Sequence, residues 1–182
     1  MKGITLERVN FLVVDDNRHT RKLVSGILRG LGARNVFLAA SAAEALDEMH
    51  VTPIDIAIVA WEMEPMSGVE FVKMVRAEND SPDPFLPVIM LTANTRVKHV
   101  EEARDAGANE YLAKPVSPEA LYRRIVSIIE HSRRFVRTET FFGPDRRRRT
   151  GVHKGSERRK SRTQAANSNA KSEDQTDGRR EL

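Results

Sequence analysis

The chain has 182 residues, no cysteine and a formal net charge of +4. The lack of cysteine excludes disulfides and thiolate metal sites, and no apolar run reaches the roughly 18 residues of a membrane-spanning helix. The first eight residues lead straight into a strand-like run and lack the apolar core of a signal peptide. These features predict a cytoplasmic protein of one ordinary domain with an additional segment.

The net charge hides an asymmetry between two parts of the chain. Residues 1–133 contain 16 Lys and Arg against 19 Asp and Glu, a net charge of −3. Residues 134–182 contain 14 against 7, a net charge of +7. The basic character therefore belongs to the C-terminal segment alone, which favours a tail that binds an anion.

The N-terminal part alternates short apolar runs with amphipathic segments. The run Val9–Val14 is fully apolar apart from Asn10, as in a strand buried on both faces. Asn17 is placed to cap a helix over Arg18–Leu31, and the glycine that follows ends it. The next apolar run predicts a second strand over Asn35–Ala39.

The same alternation continues through the middle of the chain. Ser41 is expected to cap a helix, with Glu44 at the capping-box position. A third strand is predicted over Ile54–Ala60, and a helix follows Gly68. A turn-rich loop then leads to a fourth strand over Leu86–Leu91.

Two more helices and one strand complete the pattern. Arg96–Ala106 predicts a polar helix, Glu110–Ala113 a short fifth strand, and Ser117 the cap of a last helix. Apolar strands that alternate with amphipathic helices indicate a parallel sheet covered on both faces. The predicted fold class is therefore α/β, a doubly wound five-stranded parallel sheet of the flavodoxin-like type, over residues 1–133.

Polar side chains gather where the predicted strands end. Asp15 and Asp16 follow the first strand, Thr92 follows the fourth, and Lys114 follows the fifth. In a parallel sheet these carboxyl ends lie on one edge, where ligands of such sheets bind. Carboxylates suit Mg²⁺, whereas Lys and Thr suit phosphate oxygens. The edge therefore favours Mg²⁺ together with a phosphoryl group.

The chain resembles the response-regulator receiver domains of the CheY type. The residues that carry the resemblance are V-V-D-D (13–16), A-W-E-M-E-P-M-S-G-V-E (60–70), V-I-M-L-T-A (88–93) and N-E-Y-L-A-K-P (109–115). The resemblance implies that Asp15 and Asp16 are the metal-binding acids. It also implies a hydroxyl switch residue at Thr92, an aromatic switch residue at Tyr111, an invariant lysine at Lys114, and an often cis peptide before Pro115.

The sequence departs from this family at one position. The family's phosphoacceptor aspartate lies eight residues before the glycine of its turn, which is Gly68 here, so the position is Ala60. Alanine has no nucleophilic oxygen and cannot form an acyl phosphate. We therefore interpret the edge as a vestigial phosphorylation site with weakened Mg²⁺ binding, in which Lys114 pairs with Asp15 or Asp16. In the alternative interpretation, Glu62 partly replaces the missing charge.

Residues 134–182 hold too few apolar side chains to bury a core of their own, which predicts a disordered tail. The tail nevertheless contains a repeated pattern, F-F-G-P-D-R-R-R-R (141–149) and V-H-K-G-S-E-R-R-K (152–160). Its matched positions, twelve residues apart, are Gly143, Asp145, Arg146 and Arg147 in the first copy and Gly155, Glu157, Arg158 and Arg159 in the second. We call these two segments the arginine repeats.

This pattern suits a guanine nucleotide. Arginine forks bind phosphate and pair with the O6 and N7 atoms of guanine. A carboxylate can accept from the opposite edge of the base, and an aromatic ring such as that of Phe142 can stack on it. Two copies suit a ligand with two like halves, and cyclic di-GMP is such a ligand.

A receiver followed by an arginine-rich segment also resembles the CheY-like cyclic di-GMP effectors, called Cle proteins. The resemblance implies that the ligand orders the tail and that the protein docks to the flagellar motor. We expect a signalling adaptor without catalytic activity. The alternatives are a phosphorelay response regulator, a tail that binds nucleic acid or membrane nonspecifically, and a tail without a ligand.

Overall fold

The structure is a computed structural model, and it describes residues 4–77, 81–93, 97–131, 133–138 and 141–145. Five strands alternate with five helices and are followed by a small hairpin. The strands of the main sheet are β1 (Asn10–Val14), β2 (Asn35–Ala39), β3 (Ile56–Ala60), β4 (Val88–Thr92) and β5 (Glu110–Ala113). The helices are α1 (Arg18–Gly30), α2 (Ala42–Val51), α3 (Gly68–Arg76), α4 (Val97–Ala106) and α5 (Pro118–Glu130).

The five strands form one parallel sheet in the order β2-β1-β3-β4-β5. Side chains of alternate residues point to opposite faces of each strand. In β1, Leu12 and Val14 face one apolar cluster with side chains of α2, α3 and α4, whereas Phe11 and Val13 face another with side chains of α1 and α5. This arrangement confirms the doubly wound fold predicted from the apolar runs.

The predicted caps form with one change of partner. Asn17 accepts hydrogen bonds from two backbone N–H groups of α1, and Ser41 and Ser117 cap α2 and α5. Glu44 accepts from the N–H of Ala40 instead of that of Ser41, at 2.7 Å. The carboxylate still pairs an N–H group just before the helix, so the return contact of the capping box is shifted by one residue.

Strand boundaries differ slightly from the predictions at two places. β3 begins at Ile56, two residues later than predicted, and β4 spans Val88–Thr92 instead of Leu86–Leu91. Leu86 is nevertheless fully buried, so its apolar character reflects core packing before the strand begins. Apolar patterning reports burial directly and backbone pairing only indirectly, which explains the shift.

A two-stranded antiparallel hairpin follows α5, with β6 at Phe135–Arg137 and β7 at Phe142–Pro144. The prediction that the folded domain ends at residue 133 and that disorder begins at 134 is therefore wrong for this segment. The sequence argument considered only whether the tail could bury a core of its own. The hairpin instead packs its phenylalanines against Phe85 of the preceding domain.

Every helix in the described ranges is too short or too polar to span a lipid bilayer.

Candidate functional site

The carboxyl edge of the sheet brings together the side chains that the sequence predicted to meet there. Asp15 directly follows β1, Ala60 ends β3, Thr92 ends β4 and Lys114 directly follows β5. Asp15, Ala60 and Thr92 are buried, and the Lys114 side chain is 28% exposed.

Asp15 is held by two donors. Its Oδ2 accepts a hydrogen bond from Lys114 Nζ at 2.8 Å, and its Oδ1 accepts from the backbone N–H of Asn17 at 2.9 Å. The prediction that Lys114 pairs with Asp15 or Asp16 is thus confirmed for Asp15. Because the Asp15 side chain is only 1% exposed, this ion pair offsets the desolvation of a buried carboxylate.

The strand order determines which strands the Lys114 side chain passes on its way to Asp15. β3 and β4 stand between β1 and β5. The Lys114 side chain therefore has to cross the carboxyl ends of these two strands to reach Asp15. Ala60 lies under this path with only a methyl group, so it offers the ammonium no competing carboxylate.

The second acid of the pair has a different environment. Asp16 is exposed, and Arg21 donates from Nη1 to the backbone carbonyl oxygens of both Asp15 and Asp16. In the parts of the chain that the structure describes, no three His, Cys, Asp or Glu side chains form a group that could hold a metal ion. Each Asp15 oxygen already accepts one hydrogen bond, so a Mg²⁺ ion at this carboxylate would compete with the Lys114 ammonium.

The turn after β3 packs closely against the Ala60 position. The Trp61 N–H donates to the carbonyl oxygen of Leu91 at 2.7 Å, and the Gly68 N–H donates to that of Trp61 at 2.8 Å. A Cβ atom at Gly68 would overlap the carbonyl oxygen of Ala60, so only glycine fits here. Glu62, the alternative source of charge, has an exposed side chain.

The two predicted switch residues occupy different environments. Thr92 is buried at 4% exposure. Tyr111 is half-buried, with the Arg124 guanidinium 5.7 Å from its ring centre. The peptide between Lys114 and Pro115 is cis, as the resemblance implied.

Three residues of the predicted ligand site lie in or beside the hairpin. Phe142 belongs to β7 and packs against the rings of Phe85 and Phe135. Gly143 is buried, and the Asp145 N–H donates to the carbonyl oxygen of Arg134 at 2.8 Å. The remaining predicted residues lie outside the described ranges, namely Arg146, Arg147, Gly155, Glu157, Arg158 and Arg159. The packing of Phe142 gives its ring a structural contact in addition to the stacking role predicted for it.

A buried arginine that the sequence analysis missed lies at the opposite edge of the sheet. Arg76, at the end of α3, donates to the carbonyl oxygens of Pro84, Leu86 and Gly107 at 2.8 to 3.1 Å and to Asn109 Oδ1 at 3.3 Å. Burial lowers the pKa of Arg76 to about 10, so the group stays charged at neutral pH. Arg76 follows Val75 and lies on the apolar face of α3, and this position in the sequence could have indicated that the arginine is buried.

A second missed cluster fixes the root of the hairpin. Glu110 at the start of β5 is buried and accepts from Arg124 and Arg133 at 3.1 Å and from Ser127 at 3.3 Å. Arg133 directly precedes the hairpin segment. The ion pair therefore links the end of α5 and the start of the C-terminal segment to the main sheet.

Comparisons with known proteins agree with this architecture. Residues 11–126 match the family described as "Response regulator receiver domain", and the chain belongs to this family. It is similar to chemotaxis protein CheY-3 of Vibrio cholerae, with 32% identity over 130 residues that cover 71% of this chain and 98% of the relative. It is also similar to chemotaxis protein CheY of Pseudomonas aeruginosa, with 34% identity over 67% of this chain and 97% of the relative.

Solved structures show the same likeness. The chemotaxis protein CheY4 of Vibrio cholerae superposes with a TM-score of 0.59 at 35% identity, over 64% of this chain and 95% of that one. Family membership and these relatives give the chain a signalling role. The matched part ends before the hairpin and the arginine repeats.

Proposed function

We propose that the protein is a signalling adaptor that binds cyclic di-GMP through its arginine repeats and acts without aspartyl phosphorylation. The observation that carries the proposal is the repeat itself. The glycine, the acid and the two arginines at Gly143, Asp145, Arg146 and Arg147 have counterparts of the same kind twelve residues later. A polybasic tail that only neutralises charge needs no acid at a matched position in each copy. A reader of two guanine bases needs one acid and one arginine fork for each base.

The carboxyl edge supports the second half of the proposal. Phosphorylation of a receiver needs a carboxylate nucleophile at the end of β3, and Ala60 offers a methyl group there. Lys114 pairs with Asp15 at 2.8 Å, so both charges already have a partner. This arrangement favours a receiver domain that serves as a binding scaffold and not as an enzyme.

The relatives suggest the kind of protein partner. The relatives described above include chemotaxis proteins of the CheY type. By analogy, the face formed by α4, β5 and α5, which includes Tyr111, binds a component of the chemotaxis apparatus such as the flagellar motor. The ligand then controls whether a cytoplasmic adaptor is recruited there.

The proposal predicts a specific effect of four substitutions in the repeats. Arg146, Arg147, Arg158 and Arg159 changed together to Ala remove both forks, so we expect the affinity for cyclic di-GMP to fall at least about a hundredfold, since each bidentate pair contributes roughly 1–3 kcal/mol. Titration calorimetry measures the change. Asp15→Ala changes the carboxyl edge of the sheet and not the repeats, so we expect it to leave binding intact.

The chain offers a matched control for charge. Arg162, Lys171, Arg179 and Arg180 lie in the same tail but outside the repeats. Changing these four residues to Ala removes the same formal charge. We expect the affinity for cyclic di-GMP to stay within about threefold of the wild-type value, because only a screened long-range attraction is lost. An equal loss in both variants contradicts recognition by the repeats.

The net charge of +7 in residues 134–182 supports a second candidate, a tail that binds nucleic acid. Such binding releases counterions, so its affinity for mixed-sequence RNA falls steeply with salt. The two candidates separate in one competition experiment. Under our proposal, cyclic di-GMP is retained at physiological salt in the presence of excess RNA.

A further inference from the structure

The hairpin packs on the receiver domain through an aromatic cluster of three rings, Phe85, Phe135 and Phe142. Phe85 lies in the segment before β4, and the centre of its ring is 5.1 Å from that of Phe135 and 5.2 Å from that of Phe142, both in edge-to-face geometry. The two hairpin rings lie 5.5 Å apart. Edge-to-face pairs at these distances stabilise contacts beyond the area that they bury. We call this group the Phe85 cluster.

The backbone of the hairpin also lies close to the turn between α4 and β5. A Cβ atom on Gly143 would stand 3.0 Å from the Cα atom of Gly107, and one on Gly107 would stand 3.3 Å from the carbonyl oxygen of Phe142. Gly143 and Pro144 are buried as a result. A side chain at either glycine would push the hairpin away from the domain.

Contacts at both ends fix the hairpin further. Arg133, just before β6, pairs with the buried Glu110 at 3.1 Å. After β7, the Asp145 N–H donates to the carbonyl oxygen of Arg134 at 2.8 Å. The Arg76 guanidinium lies 5.0 Å from the ring centre of Phe135.

The hairpin and the first arginine repeat share residues. Phe142 and Gly143 pack on the domain, and Asp145 is hydrogen-bonded at the hairpin's end, immediately before Arg146 in the chain. We infer that the docked hairpin is a preformed part of the ligand site, and that Phe85 is a positioning residue for cyclic di-GMP although it lies outside the repeats. This inference rests on the proposed function.

The physical reason is preorganisation. Each residue that has to be ordered on binding opposes binding through its lost conformational entropy. Docking orders the two hairpin strands and Asp145 before the ligand arrives, so the ligand has fewer residues to order. Binding and docking then stabilise each other by the same factor, because coupling between two equilibria is reciprocal.

The test compares two substitutions by alanine, one of a phenylalanine and one of a leucine, at residues of similar exposure. Phe85 is 54% exposed and belongs to the cluster, whereas Leu23 is 53% exposed and lies on α1. We expect Phe85→Ala to weaken cyclic di-GMP binding about tenfold, with all repeat arginines present, and Leu23→Ala to leave it unchanged. Phe85→Tyr keeps the aromatic contact and restores the affinity.

Hydrogen exchange reports docking directly. In the wild-type chain, the Thr138 and Asp145 amides donate within the hairpin and at its root, so we expect them to exchange slowly. We expect Phe85→Ala to accelerate their exchange and cyclic di-GMP to slow it in the wild-type chain. Phe135→Ser removes a second ring that lies outside the repeats. It should also weaken cyclic di-GMP binding and accelerate the exchange of these two amides.

The outcomes separate the inference from the proposed function. A wild-type chain that does not bind cyclic di-GMP overturns both. If the wild-type chain binds, the inference alone is overturned by an unchanged affinity in Phe85→Ala, whether or not its Thr138 and Asp145 amides exchange faster. Weaker binding together with faster exchange supports it.

Discussion

An Ala60→Asp variant incubated with acetyl phosphate and Mg²⁺ is expected to gain about 80 Da, the mass of one phosphoryl group, whereas the wild-type chain gains none. The new carboxylate would end β3, between Asp15 at the end of β1 and Thr92 at the end of β4. Lys114 already crosses this position to reach Asp15. The carboxylate attacks phosphorus, acetate leaves, and Lys114 and Thr92 are placed to bind the phosphoryl oxygens.

The matched control is Ala60→Asn, which adds a side chain of the same size without a nucleophilic carboxylate. Intact-mass measurement of all three chains, with circular dichroism to verify folding, distinguishes the outcomes. A phosphoryl gain in the wild-type chain would show that another residue accepts phosphate and would contradict the account of Ala60. A folded Ala60→Asp chain without a gain would contradict the account of the remaining edge residues.

Replacement of Arg76 by Met is expected to lower the free energy of unfolding by about 3 kcal/mol or more. The guanidinium donates to three backbone carbonyls from the segment before β4 and the turn after α4, and to Asn109 Oδ1. Methionine fills a similar volume but donates nothing. The buried carbonyl oxygens then lose their hydrogen-bond donors. This loss destabilises the fold by more than the removal of a buried charge stabilises it.

Urea unfolding measures this change. The matched control is Arg123→Met on α5, where the side chain is 71% exposed and pairs with the exposed Glu119. Such a surface pair contributes little, so we expect a change below about 0.5 kcal/mol. Equal effects at Arg76 and Arg123 would contradict the structural role given to the buried guanidinium.

The sequence predicted the five strands and five helices because each strand is a short apolar run between turn and cap residues. Ala39 and Ala113 end their strands where predicted. The convergence of Asp15, Thr92 and Lys114 followed from one rule, that the carboxyl ends of parallel strands share an edge. The missing carboxylate at Ala60 predicted that Lys114 pairs with Asp15 or Asp16, and the structure shows the pair with Asp15.

The hairpin and its contacts could not be predicted in the same way. β6 and β7 are three residues each, too short for a periodic signal. Their stability depends on Phe85, about 50 residues earlier in the chain, and on the close approach of Gly143 to Gly107. Composition describes what a segment can bury by itself, whereas this segment buries its rings against another part of the fold.

The receiver domain and the arginine repeats thus have separate roles in this account. The domain supplies the fold, the proposed partner face and, through Phe85, a surface for the hairpin. The repeats supply the proposed recognition of the ligand. Because the hairpin contains the first residues of the first repeat, we expect ligand binding at that repeat to stabilise the contacts of the hairpin with Phe85.

Recognition of cyclic di-GMP is measured by calorimetric titration of the nucleotide into the purified full chain at physiological salt, with GTP as the control ligand. We expect saturable binding of cyclic di-GMP with a Kd of about 1 µM or tighter, equivalent to roughly −8 kcal/mol, and much weaker binding of GTP. Absence of binding by a chain shown to be folded, or equal binding of the two nucleotides, would contradict it.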